Sequence, residues 1–394
     1  MANTMNKQRR VAVMLDLEWP YKRHTGIFAG MQEYALAHNW DTIIDEFVHH
    51  TLQSLPSKSV PYDGIFARVN QPLAVQAKRL RIPLVNVWAS SPARAQVPGV
   101  YPDATEAGRL CAEHLMARGF RNFASLITQK NQIEVQIDNE LKRIVVTAGH
   151  SFTTEKASHT PSQNLAFWRK TEALVARGMD RWKLPIGVYV GTEMIGRLVV
   201  QMCRRRGWRV PEDVAIIAGQ NQETMCEYPR PSLSSIEIGY ERIGSEAARL
   251  LDGLMNGAEP PNEPILMPPH SLVLRESTDF FAIKDELVAS ALAFISANSH
   301  RRIGPNDVAR AVGAETRTLQ NYFRKVLQRS IAAEIRRVRI ERAKRELAQT
   351  VRPLAEIAHD VGFGNMQRLY EVFLREVGVT PSAYRSERNP KKRL

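Results

Sequence analysis

From residue 10 to about 275 the chain alternates short apolar runs with longer amphipathic stretches. Val11-Ala12-Val13-Met14-Leu15 shows no polar alternation, which is the pattern of a strand buried on both faces. Similar runs predict strands at 63–67, 82–87, 122–127, 186–190 and 214–218, with Pro83 tolerable only because it stands near a strand start. Apolar positions three and four apart predict helices over 26–38, 104–118 (closed by Gly119), 194–205 and 243–255. Strands alternating with helices imply parallel sheets with crossover helices on both faces, and some 260 residues of this pattern favour two lobes. The prolines at 260, 261, 264, 268 and 269 bracket one last strand. Beyond Thr278 the strand signals stop, and the chain reads as helices separated by Gly- and Pro-marked turns as far as Arg385.

This places an N-terminal tail at 1–9, an α/β body at 10–278, a linker at 279–286, an all-α domain at 287–386 and a basic tail at 387–394. Charge supports the partition. Of the formal net charge of +13, residues 284–394 contribute 22 Lys and Arg against 12 Asp and Glu, and the body is nearly neutral. A basic domain on a neutral body suggests a polyanionic partner for that domain alone, although a solvated basic face gives the same count. Cys111, Cys203 and Cys226 are scattered and odd in number, so buried thiols are expected rather than disulfides or a zinc site. The first apolar run ends at Asp16, too short for a signal peptide, and nowhere do eighteen apolar residues follow one another. A cytoplasmic protein with no membrane partner is the expectation.

The all-α domain contains a repeat. Ala309-x₃-Gly313 recurs as Ala358-x₃-Gly362, and Leu319-x₃-Phe323 recurs as Leu369-x₃-Phe373. The small alanine permits close helix approach, and glycine supplies the left-handed residue that ends a helix. Leu and Phe four apart bury one face of the following helix. Each copy therefore reads as a helix-turn-helix unit, the geometry that offers its second helix to a DNA major groove. Between the copies, residues 331–348 form a helix with two apolar faces: Ile331, Ile335 and Val338 on one, Ile340, Ala343 and Leu347 on the other. Such a helix packs against two bodies and is expected to be the strut joining them. Its other faces carry Arg336, Arg337, Arg339, Arg342, Lys344 and Arg345.

The run Ile357-Ala358-x₃-Gly362-Phe363-x₉-Phe373-x₄-Gly378-x-Thr380-Pro381-x₂-Tyr384-Arg385 resembles the signature of AraC-type regulators over residues 287–386. The resemblance implies two recognition helices in successive major grooves of an operator duplex. In the first helix, about 315–327, Thr316, Arg317, Gln320 and Asn321 match base-facing places, and Arg324 and Lys325 suit phosphates. In the second, 365–376 with Asn365 as its N-cap, Met366, Gln367, Arg368, Tyr370 and Glu371 face outward. This copy departs from the family: Arg368-Leu369 stands for the usual Tyr-Phe, and Arg375-Glu376 for a basic pair.

The body resembles the sugar-binding domains of LacI-type repressors and periplasmic binding proteins. Gly207 to Ile217, with its Val210-Pro211-Glu212-Asp213-Val214, matches the family's helix-to-strand turn. Ser232 to Ile236 and Val100-Tyr101-Pro102-Asp103 match crossings between lobes, whereas 128–170 matches poorly. The implied architecture is an α/β two-lobed periplasmic-binding-protein-like domain followed by an all-α domain with two helix-turn-helix units. Ligands of such sheets sit at the carboxyl ends of strands, and sugars need an aromatic face and paired polar groups. The candidates are Trp19, Tyr21, Arg23, His24, Trp88, Asp103, Glu193, Gln220 and Asn221. Gln220 and Glu193 stand where related proteins often carry Asp.

The resemblance implies a DNA-binding transcription regulator, controlled by a small sugar (xylose-like among the options), that activates a sugar-catabolism operon. Its expected partners are duplex DNA, RNA polymerase and a second copy of the chain. A sugar-responsive repressor and an architectural protein with a merely dimerising body are the alternatives. An enzyme is disfavoured, since the sequence has no G-x-x-x-x-G-K-[ST], G-x-S-x-G or H-E-x-x-H motif, and no cofactor is expected. His49 and His50 are expected in a strand, pointing apart and not paired for metal.

Overall fold

The computed structural model describes residues 8–19, 21–53, 60–157, 164–280, 282, 285–327 and 329–388. Most of both tails and residues 281, 283 and 284 of the expected linker fall outside these. The first sheet takes β1 (Arg9–Met14), β2 (Trp40–Ile44), β3 (Gly64–Ala67) and β4 (Leu84–Asn86) in the parallel order β2-β1-β3-β4. Helices α1 (Lys22–Ala37), α2 (Val48–Gln53) and α3 (Gln71–Leu80) connect its strands. The chain then leaves through β5 (Val100–Pro102) and α4 (Ala104–Ala117).

The second sheet is assembled from β6 (Asn122–Thr128), α5 (Gln132–Thr147), β7 (Ser151–Ala157), α6 (Leu165–Asp180), β8 (Ile186–Val190), α7 (Glu193–Arg205), β9 (Val214–Ala218), the short α8 (Glu223–Glu227) and β10 (Ser234–Glu237). From there α9 (Tyr240–Met255) returns to pack on α1 and the first sheet. After it, β11 (Ile265–Met267) pairs with β5, and β12 (Ser271–Val273) closes the six-stranded order β12-β10-β9-β8-β6-β7. Every pairing is parallel except β10 with β12. The chain thus crosses between sheets through β5, before α9 and between β11 and β12. The backbone N–H of Asp103 ties two crossings by donating to the Met267 carbonyl at 2.7 Å.

Burial explains the uninterrupted apolar strands. In β1 and just after it, Val11, Val13 and Leu15 enter one core cluster, while Ala12 and Met14 enter another on the opposite face. In the second sheet Val188, Val190 and Ile216 face α7, while Phe123, Ile127 and Ile217 face α4 and α5. All three cysteines are buried and free. Among the described residues no helix is long and apolar enough to cross a membrane.

Several elements differ from the sequence expectation. Helix α1 starts at Lys22, four residues early, because extended Tyr21 precedes it without a capping side chain to mark the start. Helix α9 starts at Tyr240 behind left-handed Gly239, again with no side-chain cap. The last strand is in fact two, β11 and β12. His49 and His50 are not in a strand: they lie in α2, where Val48 and Leu52, four apart, are the buried positions. Their ring centroids are 4.2 Å apart, yet among the described residues no group of three His, Cys, Asp or Glu is placed to hold a metal.

The all-α part holds α10 (Glu286–Asn298), α11 (Pro305–Ala311), α12 (Thr316–Leu327), α13 (Ile331–Gln349), α14 (Leu354–Asp360), α15 (Met366–Val377) and α16 (Pro381–Arg388). Its two cores meet along α13. Ile331 and Ile335, with Val338 against them, pack with Leu319 and Phe323. Ile340, Ala343 and Leu347 pack with Leu369, Phe373 and Tyr384. The doubly apolar helix is the strut that the sequence pattern demands.

Candidate ligand cavity and nucleic-acid interface

Between the two lobes, at the carboxyl ends of their strands, lies a cavity of about 560 Å³, the usual ligand position for open parallel sheets. Trp19, Tyr21, Arg23 and His24 reach it from the segment after β1, and Arg68 and Trp88 from the ends of β3 and β4. The opposite lobe contributes Lys130, Asn131 and Glu134 after β6, Tyr189 and Glu193 around the end of β8, and Gln220 after β9; Tyr240, the first residue of α9, also lines it.

The polar groups form a connected set. Arg23 lies over the Tyr21 ring, 4.5 Å from its centroid, and its Nε donates to His24 Nε2 at 3.1 Å. Burial, and then the Arg23 charge, lower the His24 pKa to about 4, so the ring is neutral at pH 7. With Nε2 accepting, Nδ1 must carry the proton, and it donates to the Asp16 carbonyl at 2.9 Å. Arg68 pairs with the Asp16 carboxylate and lies over Trp88, 4.9 Å from the ring; burial lowers its pKa to about 10. Glu134 is buried, accepting from Thr128 N–H at 2.6 Å and from Asn131 Nδ2 at 2.7 Å. Burial outweighs those bonds and raises its pKa to about 7. Beside it the fully buried Tyr189 hydroxyl has no hydrogen-bond partner, the condition of a group whose partner is supplied by a ligand or water.

Seven of the nine residues proposed from sequence line the cavity: Trp19, Tyr21, Arg23, His24, Trp88, Glu193 and Gln220. Glu193 faces inward at its other end, where Oε1 accepts from Gln220 N–H and Ser235 Oγ, both at 2.9 Å, and so fixes the loop after β9. Two residues stand elsewhere. Asp103 is the N-cap of α4, with Oδ1 accepting from Glu106 N–H at 3.0 Å. Asn221, in left-handed backbone, donates from Nδ2 to Glu237 and from N–H to Ser235. Sequence reasoning missed Arg68, Lys130, Glu134, Tyr189 and Tyr240. Arg68 directly follows a predicted strand end and was findable by the same rule as Trp88. Glu134 lies in the segment with no family match, where only Asn131 as a helix N-cap gave a local signal.

In the all-α part, Gly313 and Gly362 adopt φ of 67° and 91°, ending α11 and α14 as the repeat requires. The helices that follow expose the proposed faces. On α12, Arg317, Asn321, Arg324 and Lys325 are exposed, and Thr316 and Gln320 are half-buried. On α15, Met366, Gln367, Arg368, Tyr370 and Glu371 are all exposed, and Asn365 caps the helix by accepting from Arg368 N–H at 2.8 Å. Gln367 donates to Glu371 at 3.1 Å along this face. The strut also holds the two units together by polar contacts. Arg339 donates to the carbonyls of Ser299 at 2.9 Å and Arg301 at 2.8 Å in the first unit, and Gly362 of the second unit packs on the same Ser299 carbonyl. Fully buried Glu334 accepts from Arg329 and Arg337, both at 2.6 Å. The side chain of Arg345 lies outside the described part.

Residues 112–278 match the family described as a periplasmic binding protein-like domain, and residues 308–387 match a helix-turn-helix domain family. The xylose operon regulatory protein of Haemophilus influenzae is 26% identical over 386 residues, spanning 95% of this chain and 98% of that protein. The chain is a transcription regulator that joins a periplasmic-binding-protein-like domain to an AraC-type helix-turn-helix domain. Its body has the periplasmic-binding-protein-like fold, and the likeness extends through both parts of the regulator. The xylose operon regulatory protein of Escherichia coli K12 is 25% identical over 96% of this chain and 97% of its own. A solved structure of the xylose-binding transcription activator xylR shares the fold at a TM-score of 0.59, with 23% identity over 98% of this regulator. A CelR–cellobiose complex matches 68% of it at 0.55, with 20% identity.

Proposed function

We propose that this regulator is a cytoplasmic, homodimeric activator that binds an operator through α12 and α15, recruits RNA polymerase and responds to a small sugar held between its lobes. The observation that carries the reading is the union of two things in one chain: a polar, aromatic-lined interlobe cavity, and two exposed helices braced on a basic strut. The xylose operon regulators, similar along nearly the whole chain, support a pentose-like effector and a sugar-catabolism target. Arg317, Gln320 and Asn321 carry the donors and acceptors that read guanine and adenine edges, and Arg324 and Lys325 serve phosphates. On the second helix Arg368 and Gln367 take the reading role, with Met366, Tyr370 and Glu371 beside them. The units are the body at 10–278 and the DNA-binding domain at 287–386, coupled through 279–286.

Contacts of α4 support this coupling. Its first residues adjoin the crossing strand β5, and its last turn meets the path to the DNA-binding domain: Arg118 donates to the Thr278 carbonyl, Ala282 N–H to the Arg118 carbonyl at 2.7 Å, and Arg329 to the Ala117 carbonyl at 3.4 Å. A lobe movement that shifts α4 therefore shifts the strut. The test is selection of genomic fragments by the full chain, followed by transcription from the captured promoters with and without sugars. Sugar-dependent stimulation is expected. Sugar-relieved repression would replace the activator reading, and indifference to every sugar would favour an architectural protein.

A further inference from the structure

We propose that the cavity selects a sugar bearing a carboxylate, an aldonic or uronic acid, in preference to the parent neutral sugar. The inference rests on reading the cavity as the effector site and names the chemical class it takes. Its starting point is a guanidinium that no described carboxylate pairs with directly. Arg68 is neutralised by Asp16, but Arg23 has no carboxylate within ion-pair distance among the described residues; its one hydrogen bond goes to the neutral His24 ring. Lys130, exposed at the cavity wall, likewise forms no ion pair among them. Neither carboxylate that lines the cavity, Glu134 or Glu193, forms an ion pair with these cations, although the Arg23 charge acts on Glu134. Glu193 is engaged by Gln220 and Ser235. Glu134 is buried, engaged by Thr128 and Asn131, and burial favours its protonated form.

The cavity thus offers hydroxyl and carboxyl groups suited to sugar hydroxyls at Tyr189 and Glu134, and at Arg23 and Lys130 positive side chains outside any ion pair among the described residues. A planar guanidinium meets a carboxylate with two parallel hydrogen bonds, which are about twice as strong as neutral ones. A phosphate is the competing anion: α5 and α7 begin at the cavity capped by Asn131 and Thr192, whereas α1 begins there without a side-chain cap, so the titration includes a sugar phosphate.

The experiment is calorimetric titration of the full chain with matched ligands: D-xylose and D-xylonate, D-galactose and D-galacturonate, and D-xylose 5-phosphate. An acid is expected to bind at least tenfold tighter than its neutral parent and than the phosphate, with the preference shrinking as salt is added. Arg23→Gln should erase that preference, while Arg23→Lys, which keeps the charge, should restore part of it. Neutral sugar binding as well as its acid, or a phosphate binding best, would overturn the carboxylate assignment while leaving a sugar-responsive regulator standing. Equal losses for acid and neutral sugar in Arg23→Gln would also overturn it. If neither acids, neutral sugars nor the phosphate bind, the effector reading itself falls with it.

Discussion

Gly313 and Gly362 occupy the same place in the two helix-turn-helix units, yet alanine should cost very different amounts at the two sites. Both have positive φ, so both substitutions incur the left-handed backbone penalty, about 1 kcal/mol after the gain from a stiffer unfolded chain. At Gly313 a Cβ meets nothing within 4 Å, so that penalty is the whole effect. At Gly362 the Cβ falls onto the Ser299 carbonyl and within 2.8 Å of Arg339 Nε. The carbonyl is backbone, so relief requires breaking the Arg339–Ser299 bond or moving one unit off the other. Overpacking of this kind adds roughly 1–3 kcal/mol. Gly362→Ala should therefore exceed Gly313→Ala by about 2 kcal/mol, or roughly thirtyfold in the opening equilibrium of α14 and α15. Amide hydrogen exchange on α14 and α15 reads the cost of Gly362→Ala, exchange on α11 and α12 that of Gly313→Ala, and the two are compared. All six tryptophans lie in the α/β body, so their fluorescence serves as a control that should not change. Equal costs for the two alanines would refute the contact between the units.

Other expectations follow from the same geometry. Arg317→Ala should lose about 1–3 kcal/mol of discrimination at one operator position, measured by binding to single-base operator variants; a uniform loss at every variant counts against a base contact. Glu134 has a folded pKa of about 7, above its ordinary 4.5. The folded state therefore binds the proton more tightly, and stability should fall as pH rises from about 4.5 to 7, by on the order of 3 kcal/mol. Glu134→Gln should flatten that slope in urea titrations across this range, and an unchanged slope would show that another group causes it. Burial alone would raise the Glu334 pKa, but the hydrogen bond and charge of Arg337, joined by Arg329, hold it below its ordinary value. Glu334→Ala leaves both arginines without that carboxylate and should cost about 3 kcal/mol in chemical denaturation of the DNA-binding domain; a loss under 1 kcal/mol would mean that solvent replaces the pair freely.

The C-terminal domain was the more legible part of the chain because its signals are local. A glycine ends a helix, Leu and Phe four apart bury one face, and Asn365 caps α15; each acts within a few residues of itself. The two-faced strut was legible for the same reason, since 3.6-residue periodicity assigns Ile335 and Ile340 to different sides without knowledge of their partners. The cavity was less legible. Trp88 and Glu193 follow apolar strands and were accessible to the strand-end rule. Glu134 reaches the cavity from within α5, and Tyr189 from the end of β8, positions that look like ordinary helix and core until the two lobes face each other. Asp103 shows the converse: a charged residue at a crossing, expected as a ligand contact, caps α4 and stands outside the cavity lining. His49 and His50 were misplaced because α2 is barely more than one turn, too short for its period to register.

The central claim, that α13 fixes two recognition helices for simultaneous groove contact, is tested most directly by hydroxyl-radical footprinting of the full chain on a captured operator. The account predicts two protected patches on one face of the duplex, about 10 base pairs apart, with both weakened when five base pairs are inserted between them. A single patch, or two patches indifferent to that insertion, would contradict it.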